Sequence, residues 1–166
     1  IHDVDAVGES VWVATDAGLV RSDGETTRLF GRSGGLPGSR VSALARQGDR
    51  LWALVPEGLL AVEARDAARL RVVRYAVADG ARMRAMAVRG TALWLLDDRG
   101  RVLRFAEGRL GLAAQTPPVA AAHLAVVGDR LAVAAVTGSL WAISGSGSTA
   151  QRDDSWPAEL AAPSLR

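Results

Sequence analysis

A pair made of a branched aliphatic residue and Trp recurs along this chain at a nearly constant interval, and that recurrence constrains the fold more than any single motif. The pairs are Val11-Trp12, Leu51-Trp52 and Leu93-Trp94; Leu131-Ala132 continues the series without the aromatic, and the intervals are 40, 42 and 38 residues. Gly18-Leu19, Gly58-Leu59, Gly100-Arg101 and Gly138-Ser139 follow in the same register, and Gly8-Glu9, Gly48-Asp49, Gly90-Thr91 and Gly128-Asp129 precede it. A Gly-X pair between two apolar runs is a type II′ hairpin signal, because Gly alone takes a positive φ at the first central position without strain. Each unit therefore reads as strand, tight turn, strand, short loop, strand, turn, strand. In the second unit the strands fall at about 41–47, 51–55, 59–64 and 69–75, while Asp23-Gly24 and Glu107-Gly108 turn between third and fourth strands elsewhere. No segment carries a helical period.

Units of about 40–45 residues with four short strands are the signature of propeller blades. The expected fold is an all-β β-propeller of four four-stranded antiparallel blades, at about 1–40, 41–82, 83–121 and 122–160, in a single domain spanning 1–166 with a C-terminal tail from about 155. Ile1 stands at the start of a first strand and Ala162-Pro163-Ser164-Leu165-Arg166 resembles Leu36-Pro37-Gly38-Ser39-Arg40, so the chain is cut in phase with its blades. A closed or nearly closed small ring, an arc of a larger ring, and half of a homodimeric eight-bladed ring all fit; the first is the expectation. Within first strands the bulky residues Val4, Leu44, Met86 and Leu124 are flanked by Ala43, Ala45, Ala85, Ala87 and Ala125, so large should face small between neighbouring blades. Trp12, Trp52 and Trp94 share one position of the second strand, where a flat ring fills the wedge between fanned blades.

The runs Val11-Trp12-Val13-Ala14-Thr15-Asp16-Ala17-Gly18-Leu19 and Gly34-Gly35-Leu36-Pro37-Gly38-Ser39-Arg40-Val41-Ser42-Ala43-Leu44 resemble the two-component regulator propeller repeat. Blade 2 departs from that repeat at Val55-Pro56, blade 3 has Arg101 after its Gly, and blade 4 keeps only the frame. The resemblance implies an extracytoplasmic, periplasmic-type bacterial sensor propeller that recognises a ligand or partner and passes a signal to other domains. It supplies no site residues.

With no Cys, the chain can form neither disulfides nor a thiolate metal site. The sequence pI of about 10.3 reflects basic residues that are all Arg, since the formal charge is only +2, so nucleic acid is not an expected partner. Positive charge gathers between residues 65 and 109, where 11 Arg face 5 acids. Within that sector Arg69, Arg71, Arg74, Arg82, Arg84 and Arg89, with the polar turn Asp97, Asp98 and Arg99, are candidate interaction residues for an acidic surface. The uncharged stretches 110–128 and 131–151 are broken by Pro117-Pro118 and by Gly, Ser and Thr, so no transmembrane segment is expected. Between Leu110 and Gln151 only Asp129 and Arg130 are charged, which makes blade 4 a candidate docking surface.

The inventory for catalysis is thin: His2 and His123 are the two histidines and Tyr75 the one tyrosine. Aligning the blades puts His123 at the position of Asp3, so His2, Asp3, Asp5 and His123 are candidate polar residues of a channel. Gly31-Arg32-Ser33-Gly34-Gly35 lacks the Lys-Ser/Thr of a phosphate loop and reads as a flexible link. The expected role is non-catalytic recognition or scaffolding, with no cofactor and with a protein partner, either the remainder of a larger chain or complex or a second copy. The alternative is a propeller-type lyase or hydrolase working at a channel mouth.

Overall fold

The computed structural model describes residues 1–38, 40–56, 58–63, 70–76, 80–117, 121–136, 139–144 and 150–152. They form four sheets of four antiparallel strands, each in simple sequence order, as the repeats predict. Blade 1 holds β1 (Asp3–Val7), β2 (Ser10–Thr15), β3 (Gly18–Ser22) and β4 (Thr27–Phe30); blade 2 holds β5 (Ala43–Gln47), β6 (Arg50–Val55), β7 (Gly58–Glu63) and β8 (Arg71–Ala76). Blade 3 holds β9 (Met83–Arg89), β10 (Ala92–Asp97), β11 (Arg101–Ala106) and β12 (Arg109–Gln115); blade 4 holds β13 (Ala121–Val127), β14 (Arg130–Ala135), β15 (Leu140–Ser144) and β16 (Gln151–Arg152). The chain divides into two compact units, Ile1–Met83 and Arg84–Arg166, with the boundary at the start of β9.

The three anchors each have a physical cause. Gly8, Gly48, Gly90 and Gly128 all sit near φ +60°, with ordinary φ at the following residue, which is the sign pattern of a II′ turn. At the β11–β12 turn Glu107 and Gly108 both take positive φ, the pattern of a I′ turn. Gly18 has φ +137°, and a Cβ there would collide with the carbonyl oxygen of Phe30, so the third strand can begin only where a residue has no side chain. At the corresponding Gly100 a Cβ would strike the hydroxyl of Thr116, which donates to the Gly100 carbonyl.

Cross-strand register sorts each blade into two faces. One face of blade 1 carries the row Asp5, Trp12, Arg21, Arg28 and the other the row Val4, Val13, Val20, Leu29. In blade 2 the second kind of row is Leu44, Ala53, Leu60, Arg74. The core of the first unit joins Trp12, Ala14, Leu19 and Phe30 of blade 1 to Leu44, Ala53 and Leu60 of blade 2. The Trp face of one blade thus packs on the bulky-row face of the next. The second unit repeats the scheme, joining Trp94 and Leu96 of blade 3 to Leu124, Val133 and Trp141 of blade 4. Trp12, Trp52 and Trp94 are all buried; Trp12 stacks on Phe30 of its own fourth strand at 6.1 Å, and Trp52 meets Tyr75 of its own at 5.9 Å with the rings tilted.

Two features differ from expectation. Residues 31–35 form a compact turn, with a 3-10 segment at Arg32–Gly34, rather than a loose link. The Gly31 carbonyl accepts from the Gly34 and Leu36 amides, the Leu70 amide donates to Gly34, and the turn delivers Leu36 and Val41 into the core. The second difference concerns the bulky set: Leu44, Met86 and Leu124 are buried as the alternation predicts, whereas Val4 is 55% exposed.

Candidate recognition site

The expected polar residues divide between the two units. In the first, the His2 ring lies 2.8 Å from the Asp16 carboxylate in the β2–β3 loop, while its amide donates to Ala14. That ring contact, foremost, holds the Asp16 carboxyl below its ordinary value, as the local amide and hydroxyl of Thr26 do for Asp23. Asp3 accepts from its neighbour Val4 and, 2.8 Å away, from the amide of Leu44, tying the first strand of blade 1 to that of blade 2. Asp5 accepts from the amide of Ala6. His123 is exposed on β13 in the second unit. Among the described residues no group of three or more His, Asp or Glu side chains is arranged to hold a metal ion.

The Arg sector divides between the two units. Arg69 lies outside the described residues; Arg71 opposes Glu63 and Arg74 opposes Leu60 on β8, the last strand of its sheet. Arg82 precedes β9, and Arg84 and Arg89 lie on it, at the first-strand edge of blade 3. Asp97 is 0% exposed and its carboxylate is spent on its own turn, accepting from the amides of Arg99 and Arg101 and pairing with the Arg101 Nε at 2.6 Å. It stands where blade 1 has Thr15, whose hydroxyl accepts from the Ala17 amide and donates to the Gly18 carbonyl. Asp98 and Arg99 remain exposed.

What the fold does build in the first unit is a cleft of about 670 Å³ between blades 1 and 2. Blade 1 contributes Trp12, Ser10 and Arg21, whose guanidinium lies over the Trp12 ring at 5.7 Å and donates to the Ser10 hydroxyl. Blade 2 contributes Asp49, Glu63 and Arg50, whose guanidinium lies 5.6 Å over the Trp52 ring. Two cations and two carboxylates on apolar walls can hold a polar ligand of mixed charge. Sequence reasoning misses this cleft because Ser10, Arg21 and Glu63 sit on three different strands; the signal for it is the recurring Trp, beside which register places Arg21 in blade 1 and Arg104 in blade 3.

Blade 4 shows the apolar exposure its composition predicts: Val127 and Val136 are exposed, and a cavity of about 240 Å³ lies between Leu131, Leu140 and Trp141. Blade 1 shows more. Val4 and Leu29, the two ends of its bulky row, are 55% and 54% exposed, and Val11 beside them is exposed as well.

Comparison with solved structures shows the fold. The extracellular domain of a putative hybrid two-component system from Bacteroides thetaiotaomicron is similar over 93% of this chain, at 15% identity and a TM-score of 0.75. Virginiamycin B lyase from Staphylococcus aureus is similar over 95% of this chain and 56% of its own, at 12% identity and a TM-score of 0.71. The computationally designed Ika4 protein is similar over 87% of this chain and 90% of its own, at 12% identity and a TM-score of 0.65. The chain spans 22% of the Bacteroides domain. No protein-family model and no curated protein sequence matches. No helix among the described residues is long and apolar enough to cross a membrane.

Proposed function

We propose that this chain is a recognition module that works by binding, a blade set of the two-component regulator propeller type serving as extracytoplasmic sensor input or as an accessory subunit of a larger complex. The observation that carries the reading is the aliphatic row Val4, Val13, Val20, Leu29 of blade 1, whose two ends, Val4 and Leu29, are exposed while its middle is half-buried. Its counterpart in blade 2 is covered by a Trp-bearing sheet face, so the chain itself supplies the pattern of what fits such a row. The occupant is a further blade of the same kind, provided by the parent polypeptide, and the larger size of the similar sensor domain supports that assignment. A fold shared by sensors and a lyase hosts both kinds of work, so the site has to carry the functional argument. Here the committed groups, Asp3, Asp97 and His2, serve turns and blade joints.

The test is a paired thermal melt of Val4→Glu with Leu29→Glu. In the isolated 166-residue chain Val4 and Leu29 are exposed, and the double variant should leave Tm within about 2 °C. In the native full-length polypeptide it should lower Tm by about 5 °C or more, because two carboxylates would be buried without partners. An equally small effect in both settings contradicts the proposal.

A further inference from the structure

We propose that blade 3 carries a binding site for a small organic anion, one that presents carboxylate or phosphate oxygens, and that the indole N–H of Trp94 is its buried contact. The site is a cleft of about 970 Å³ lined by Arg89, Trp94, Arg104, Glu107, Arg109 and Gly111 together with Thr91, Leu112 and several alanines. Three guanidinium groups against one carboxylate leave the cleft with an excess of two positive charges.

The decisive observation is internal to the repeat. Trp52 is buried and its indole Nε1 donates to the Gln47 side-chain oxygen at 3.1 Å. Trp94 occupies the same position in blade 3 and is only 5% exposed, yet its Nε1 is buried with no hydrogen-bond partner among the described residues. The difference follows from one aligned residue. Gln47 and Arg89 each end a first strand, immediately before Gly48 and Gly90, and where Gln offers an acceptor Arg offers only donors. The Arg89 guanidinium lies 5.9 Å from the Trp94 ring centroid, over its face.

Arg104 and Arg109 add further donors to the lining. Arg104 opposes Trp94 in the β10–β11 register, and Gly111 opposes Arg104 in the next pair. Gly111 has nothing within 4 Å of where a Cβ would stand, so the outer end of this row is open to the body of a ligand. A buried indole donor needs an acceptor, and guanidinium forks suit planar or tetrahedral oxyanions. An anion entering between Arg104 and Arg109 supplies the acceptor that blade 2 builds from Gln47.

The inference rests on the recognition reading for its purpose, but its test uses only the isolated chain, so it can fail while the blade 1 assignment stands. The test is an NMR titration of the ¹⁵N-labelled chain with citrate and, separately, inorganic pyrophosphate. The Trp94 indole cross-peak, identified as the one missing from Trp94→Phe, should move saturably while that of Trp52 stays in place. Arg104→Gln with Arg109→Gln should weaken the apparent Kd at least tenfold. Arg89→Gln, which restores the blade 2 acceptor, should shift the Trp94 peak toward the Trp52 position without ligand and suppress its response to the anions. Response to citrate alone assigns carboxylates, and response to pyrophosphate alone assigns phosphates. A Trp94 peak unmoved by both at 10 mM, or a Kd within threefold of wild type in the Arg104/Arg109 variant, overturns the proposal.

Discussion

At the scale of single residues, the anchors of the repeat act through backbone geometry and through carboxylates that serve their own turns. Gly18 and Gly8 both hold positive φ, but only at Gly18 does a Cβ meet backbone, the Phe30 carbonyl. Gly8→Ala should therefore cost only the left-handed strain, ~1–2 kcal/mol, and Gly18→Ala measurably more, in urea unfolding. His2→Ala should raise the Asp16 pKa toward its ordinary value, read by carboxyl NMR titration, since the contact with His2 is the main cause of its depression. Because the folded-state value is the lower one, the pair's contribution is full above the ordinary carboxylate range and is lost as pH falls through the depressed value. Asp97→Ala should destabilise by ~1–3 kcal/mol, the cost of the hydrogen bonds its buried carboxylate accepts, since Arg101 keeps access to solvent. Asp97→Thr should cost less, because Thr15 caps the same turn in blade 1.

At the scale of strands and sheets, hairpin chemistry was legible in the sequence because Gly at a fixed offset from an aliphatic-Trp pair has few other uses. Strands β5 to β7 fall within two residues of the positions read from the second unit. The two faces were less legible. Val4 and Leu44 have the same place in their blades, and nothing in their local patterns tells that one is exposed and the other buried; burial depends on which sheet lies opposite. The Arg sector shows a related limit, since Arg104 is brought beside Trp94 only through cross-strand register. The cleft of blade 3 becomes visible once blades are aligned by role and Arg89 is seen to replace Gln47. Trp52→Ala should cost ~3–5 kcal/mol, as expected for a buried aromatic with ring and hydrogen-bond partners, by chemical denaturation.

At the scale of the molecule, both units use one rule, a Trp-bearing face against a bulky aliphatic row. The rule accounts for the two cores, and the proposed docking of a further blade applies it to the blade 1 row. The most direct test is equilibrium unfolding of the isolated chain with Trp12→Ala and Val4→Ala measured side by side. The two positions lie on opposite faces of one blade, in adjacent strands. Trp12→Ala should cost ~3–5 kcal/mol and Val4→Ala less than about 1 kcal/mol. Equal losses, or a larger loss at Val4, would contradict the assignment of the buried and open faces.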